Sequence, residues 1–309
     1  MKCFNFTASR DWFYRRSFFA AGLRSVTTDL GDGTVMHCWA PKPHRNEPED
    51  RPALVLLHGF GANATWQYGD HLRHLTGRFN VYVPDLLFFG ESHTAAPERS
   101  EAFQAQCVRR LLAEAHGVRN MSLVGISYGG FVAYSVAAQF PEMVERVVLC
   151  CAGVCLEEAD MAEGMFRVPD LDEAAVILLP QTPEKLRELM RLSFVKPARG
   201  VPSCFLSGFI DVMCTEFVEE KRELIRSILK GRKLSNLPQI TQPTLIIWGD
   251  QDQIFPLELG YRLKRLLGEN AELVIIKNAG HAVNLEKPKE FVKHLKFFLV
   301  NSLLSPSSP

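Results

Sequence analysis

The sequence predicts an α/β protein, a doubly wound and mostly parallel sheet with an inserted helical cap. Four short runs, Ala53–Leu57, Val81–Val83, Met121–Val124 and Val147–Cys150, are apolar apart from Ser122. Each is too short for a helix and has the pattern of a strand buried on both faces. Helix-period stretches, Glu101–His116 and Tyr128–Gln139, alternate with these runs as crossover connections do. The alternation stops near residue 155 and resumes with Thr244–Trp248 and Glu272–Ile276.

The N-terminal residues 4–19 hold Phe4, Phe6, Trp12, Phe13, Tyr14, Phe18 and Phe19, with Arg10, Arg15 and Arg16 between them. Asp11 and the arginines break any apolar leader region, and no small-residue cleavage site follows. The segment reads either as a helix packed on the domain or as an interfacial element that touches a membrane or roofs the site. Ser25–Leu30 and Thr34–Ala40 flank Gly31-Asp32-Gly33, the pattern of a β-hairpin. Residues 41–52 are rich in Pro, His, Asn and acids and predict a surface loop.

Residues 155–235 lack strand-like runs. They hold helix-period stretches Glu157–Phe166, Asp172–Leu179, Pro183–Leu192 and Glu216–Leu229, punctuated by prolines 169, 180, 183, 197 and 202. This predicts a helical cap at 155–235 inserted in a core made of 1–154 and 236–309, with 1–24 as an aromatic extension. A last helix is expected from about Pro288 to Leu299, and the tail Ser302–Pro309 is expected to fray.

Composition narrows the function. The 309 residues are 47 % hydrophobic and 23 % charged, which is ordinary globular composition. Thirty-five cations balance thirty-five anions, so the basic excess of a nucleic-acid binder is missing. No apolar run reaches the ~18–20 residues that span a bilayer. The eight cysteines show no CxxC pair, and Cys150, Cys151 and Cys155 end an apolar run as small hydrophobes. A reducing, cytoplasmic compartment is expected, with membrane association open through the aromatic segment. The sequons at Asn5, Asn63 and Asn120 matter only for a secreted chain.

Gly125-Ile126-Ser127-Tyr128-Gly129 lies between a strand and a helix, the setting of a nucleophile elbow. Small flanking residues allow the tight turn, and Ser127 is lifted above the sheet at a helix N-terminus. A serine needs a base. His281 follows the last strand, where loops at strand C-termini build the site. The imidazole needs an acid to hold its tautomer. Asp250 and Asp252 both follow the strand ending at Trp248; Asp252 is chosen, and Asp250 is expected to hold the loop. The expected oxyanion donors are the backbone N–H groups of Phe60, in His58-Gly59-Phe60-Gly61, and of Tyr128. His58, Asp85 and His93 are expected to be structural.

These motifs, His58-Gly59, Gly125-x-Ser127-x-Gly129, Asp252 and Gly280-His281, resemble those of capped α/β-hydrolase fold enzymes across about residues 25–300. Pro84-Asp85 with Gly90-x-Ser92 resembles the family's next loop, with Phe88 where many members have Gly. Epoxide hydrolases and haloalkane dehalogenases use Asp at the elbow, so Ser127 sets them apart from this chain. Hydrolases of C–C bonds in ring-cleavage products carry Trp where this chain has Ala282. The segment from Gly280 to Pro288 is more similar to carboxylesterases and monoacylglycerol lipases, in their plant-type capped form.

The resemblance implies hydrolysis of a small-molecule ester through an acyl-enzyme, with no metal or cofactor and no nucleic acid. Its alternatives are a slow-turnover receptor of the strigolactone and karrikin type, or the C–C hydrolase. Met161, Met165, Phe166, Val176–Leu179, Phe205 and Phe209 are expected either to line an acyl pocket or to form the cap's own core.

Overall fold

The short apolar runs assemble into one mixed sheet of nine strands. The computed structural model describes residues 6–43, 51–163, 165 and 170–301. The expectations for Phe4, Asn5, Phe166, most of the 41–52 loop and the 302–309 tail lie outside these.

The aromatic segment forms α1 (Phe6–Ala20). The hairpin is β1 (Leu23–Gly31) and β2 (Thr34–Pro41), paired antiparallel with Val26 opposite Cys38. Next come β3 (Ala53–Leu57), the short α2 (Ala64–Tyr68), β4 (Asn80–Pro84) and the two-residue β5 (His93–Thr94). Helix α3 (Glu101–Arg110) leads through a wider turn to β6 (Met121–Ile126), α4 (Tyr128–Gln139) and β7 (Val144–Cys150).

Five helices then intervene: α5 (Glu158–Ala162), α6 (Leu171–Leu178), α7 (Pro183–Ser193), α8 (Ser203–Met213) and α9 (Val218–Leu229). The sheet resumes with β8 (Thr244–Gly249), α10 (Leu257–Leu267) and β9 (Ala271–Ile276). The chain ends in α11 (Val283–Glu286) and α12 (Pro288–Asn301).

The strand order is β1-β2-β4-β3-β6-β7-β8-β9, with β5 added on β2. From β3 onward the pairs are parallel. Every residue of β6 and β8 is buried, as expected of strands covered on both faces. The chain leaves β3 toward β4 and returns past it to β6, so the winding reverses between β3 and β6. Loops at the C-terminal ends of those strands face one crevice, where such sheets bind ligands.

The inserted helices tie back to the core by charge. Arg262 of α10 reaches both oxygens of Asp160 at 2.7 and 2.9 Å, and Arg99 pairs with Glu223 of α9 at 2.8 Å. Two elements differ from expectation. The sequence did not signal α8, because Ser203–Met213 is apolar nearly all round and carries no charge before Asp211. Phe88 adopts φ +73 while 2 % exposed. It keeps the left-handed turn that glycine adopts freely, and its ring packs on Phe217 at 5.8 Å with the Arg99 guanidinium at 4.6 Å.

Candidate active site

Ser127 sits between β6 and α4 with φ 53 and ψ −121. A left-handed conformation costs a non-glycine residue about 1–3 kcal/mol and persists only where its surroundings hold it. Here the Ser127 N–H donates to Cys150 O at 2.9 Å, and the Gly130 N–H donates back to Ser127 O at 2.8 Å. The flanking glycines are required by space. A Cβ on Gly129 would lie 2.2 Å from Leu57 O, and one on Gly125 would lie 2.3 Å from Gly129 O.

The loops after β8 and β9 bring two further groups to this serine. His281 Nε2 is 2.9 Å from Ser127 Oγ, and His281 Nδ1 is 2.8 Å from Asp252 Oδ2. Asp252 Oδ1 accepts the N–H groups of Ile254 and Phe255 at 2.9 Å each. The carboxylate is thus held by three donors, and its side chain is fully buried. Asp250 faces elsewhere: its Oδ1 accepts the Ala279 N–H at 3.3 Å, and Lys277 lies 3.9 Å from its Oδ2. The Phe255 ring stands edge-on to His281 at 5.6 Å.

Phe60 and Tyr128 meet at the same place, with ring centroids 4.8 Å apart. Tyr128 begins α4, so its N–H has no acceptor inside the helix. A Cβ on Gly59 would be 2.9 Å from Ser127 Cβ, which places the Gly59-Phe60 backbone directly against Ser127.

His58, Asp85 and His93 do not point at Ser127. His58 Nε2 accepts the Leu86 N–H at 3.0 Å and Nδ1 donates to Gly59 O at 3.0 Å, while burial lowers its pKa and keeps it neutral. Asp85 accepts the Ala64 N–H at 2.9 Å and pairs with His37 at 2.8 Å. His93 stacks on Phe217.

Sequence reasoning missed three polar residues that fix these loops. Glu286 accepts the Gly280 N–H at 2.7 Å and the Val195 N–H at 3.0 Å, tying the histidine loop to the end of α7. Gln67 accepts the Gly59 N–H at 3.4 Å, and its side-chain amide donates to Asn284 Oδ1, also at 3.4 Å. The Glu286–Val195 and Gln67–Asn284 pairs are 91 and 217 positions apart, so no local pattern marks them.

A narrow apolar cavity opens beneath the inserted helices, lined by Met161, Ala174, Ile177, Ile225 and Phe255 among others. Of the expected lining, Met161, Ile177 and Leu178 are there. Val176 is 40 % exposed, Phe209 packs on Trp66 at 5.4 Å, and Met165, Leu179 and Phe205 do not line the cavity. Helix period alone does not say which face turns inward.

One cluster among the described residues could be considered for a cation: Cys151, Asp252 and His281, whose ligand atoms lie within 4.8 Å of one another. The chemistry does not suit one. Both Asp252 oxygens are engaged, and burial together with Cys150 and Asp252 pushes the Cys151 thiol well up, so it stays protonated.

The chain is 27 % identical over 301 residues to the monoacylglycerol lipase ABHD6 of Bos taurus, across 94 % of this chain and 85 % of that protein. Among solved structures it resembles a membrane phospholipase A described as a bacterial virulence factor (TM-score 0.75, 26 % identity, 94 % of this chain and 91 % of that one). It also shares its fold with 2-hydroxy-6-oxo-6-phenylhexa-2,4-dienoate hydrolase of Rhodococcus sp. strain RHA1 (TM-score 0.70, 22 % identity, 90 % and 98 %). Residues 54–294 match the Alpha/beta hydrolase family over most of the chain, and with the fold and the elbow described above the chain belongs to that family.

Proposed function

We propose that this chain is a serine hydrolase that cleaves carboxylic esters, monoacylglycerols and other small acyl esters among them. The observation that supports it most is the hydrogen-bonded line Asp252–His281–Ser127, with steps of 2.8 and 2.9 Å, at an elbow backed by a helix N-terminus. The kinship with monoacylglycerol lipases supports the substrate class.

In this reading Ser127 Oγ attacks the ester carbonyl while His281 Nε2 takes its proton. Asp252 holds the Nδ1–H tautomer and stabilises the imidazolium. The N–H groups of Phe60 and Tyr128 and the α4 N-terminus stabilise the oxyanion. His281 returns the proton to the leaving alcohol, an acyl-Ser127 remains, and water activated by His281 hydrolyses it. These groups complete the reaction without a metal or cofactor.

The segment 155–235 serves as the cap, and the apolar cavity beneath it takes the acyl chain. Monoacylglycerols partition into lipid surfaces, and peripheral contact of the N-terminal helix with such a surface belongs to the same reading. Cys38, Cys107, Cys150, Cys151, Cys155 and Cys214 are buried thiols, which suits a reducing, cytoplasmic setting.

The test is Ser127→Ala, assayed on p-nitrophenyl esters of increasing acyl length and on a monoacylglycerol. Turnover should fall by about a million-fold while the melting curve keeps its shape. Activity kept by a folded Ser127→Ala protein would place the nucleophile elsewhere. A wild-type enzyme that acylates once and then stalls would favour the receptor alternative.

A further inference from the structure

Helix α1 carries apolar side chains on both of its faces. A helix that packs on a domain by one face ordinarily turns polar groups outward. Here Tyr14 and Phe18 are buried on the inner face, while Trp12, Phe13 and Phe19 are 62 %, 58 % and 48 % exposed. Three of the eight large apolar side chains left exposed among the described residues therefore fall on one fifteen-residue helix. Val212 of α8, the helix that α1 packs against, is exposed as well.

Cations are interleaved with these rings. Helix α1 has Arg10, Arg15 and Arg16 against the single acid Asp11, in a chain whose net charge is zero. The acids facing it are Asp70, 4.0 Å from Arg10, and Glu91, 3.9 Å from Arg15; Asp11 pairs with Arg15 at 2.9 Å. Arg16 has no carboxylate partner among the described residues, and its guanidinium lies 5.5 Å from the Trp12 ring. Lys42 Nζ lies 6.0 Å from the Phe19 ring. Rings that bury in the headgroup region beside cations that meet anionic lipid are the chemistry of a helix lying on a membrane. Fifteen residues span about 22 Å, short of a hydrocarbon core of about 30 Å, so the helix lies along the surface.

The inner face connects this surface to the site. Tyr14 meets Trp66 edge-on at 5.4 Å, and Trp66 Nε1 donates to Asp11 Oδ1 at 3.0 Å. Trp66 in turn packs on Phe209 of α8 at 5.4 Å. Trp66 belongs to α2, which directly follows the loop bearing Phe60, and α8 belongs to the inserted helices. One helix thus holds the oxyanion loop and the cap from the outside.

We propose that α1 docks on an anionic lipid surface through Trp12, Phe13, Phe19 and Arg16, and that docking sets α2 and α8 against each other and raises turnover at Ser127. The second half rests on the ester-hydrolase reading; the first half does not.

The experiment is flotation with phosphatidylcholine vesicles, with and without phosphatidylglycerol, for wild type and for Trp12→Ser/Phe13→Ser/Phe19→Ser. Wild type should float with the anionic vesicles and less with phosphatidylcholine alone. The variant should partition about a hundredfold or more weakly, because its buried apolar area is gone. The replaced rings are exposed, so hydrolysis of soluble p-nitrophenyl butyrate without vesicles should match wild type and shows that the variant is folded. Anionic vesicles should raise that hydrolysis in wild type and leave the variant unchanged. A wild type that does not bind, or a variant that binds equally well, overturns the docking; a protein partner would then be the occupant of this face. Binding with no change in turnover overturns the coupling. Binding by a wild type that hydrolyses no ester leaves the docking standing and overturns the ester reading instead.

Discussion

Asp252→Asn isolates the acid at almost constant shape. Asp252 makes three contacts: Oδ1 to the Ile254 and Phe255 N–H groups, and Oδ2 to His281 Nδ1. Asparagine has one acceptor oxygen and one donor nitrogen. Its oxygen serves the two backbone N–H groups, since losing both would leave two buried donors unpaired at about 1–3 kcal/mol each. Its NH2 then faces His281 Nδ1, which must become the acceptor. The ring proton moves to Nε2, the atom that has to take the serine proton, and the base is blocked. The same tautomer error in the serine-protease triad costs about 10⁴ in kcat, near 5.5 kcal/mol of barrier. Asp250→Asn disturbs one backbone contact at 3.3 Å that an amide oxygen can still make, so its kcat should stay within about threefold. The assay is kcat on p-nitrophenyl butyrate for both variants, with melting curves to show that both are folded. Equal losses, or a loss below about tenfold for Asp252→Asn, would refute the assignment of the acid.

Two further perturbations follow from the packing. Burial lowers His71 to about 4, and its Nε2 has no hydrogen-bond partner among the described residues. The unfolded chain protonates this group near 6.5 and the folded chain only near 4, so stability should fall as pH drops through that window and level off below it. The difference is worth about 3 kcal/mol, and His71→Gln should flatten the urea-derived stability curve between pH 6.5 and 4; parallel curves for the two proteins would count against it. Ala174 faces the cavity from α6, and Ala174→Phe fills much of it. Hydrolysis of the longest p-nitrophenyl esters should then fall by about tenfold or more while the butyrate ester is spared; an unchanged chain-length profile would mean the acyl chain lies elsewhere.

What could be read from the sequence was local. Ala53–Leu57 and Tyr128–Gln139 have the boundaries that their apolar pattern predicts, because strands buried on both faces and helices packed on them advertise themselves. Ser127, Asp252 and His281 were legible because each sits at a strand end in a loop of recognisable composition, and the sheet brings those ends together. The residues that orient these loops were not. Glu286 reaches the Val195 N–H 91 positions away, and Gln67 meets Asn284 across 217 positions, so no window of sequence contains either pair. Only a minority of the cavity lining was legible, for a related reason: α6 and α7 show amphipathic spacing, but only the sheet and the Asp252 loop decide which side closes on them. Phe88 runs against local propensity, since a bulky residue in a glycine turn is stable only through the ring contacts that receive it.

The inserted helices leave the sheet after β7 and return to it as β8, which pairs directly with β7, Val147 beside Thr244. To the core, the whole insertion is therefore one long crossover loop whose ends are fixed by two neighbouring parallel strands. The entropy of closing such a loop grows only with the logarithm of its length, about 0.6 kcal/mol for each doubling. Helices can be added, lost or exchanged there at little cost to the sheet that positions Ser127 and His281. The segment proposed to surround a substrate is thereby free to vary in length and sequence, while the sheet that carries Ser127 and His281 stays fixed.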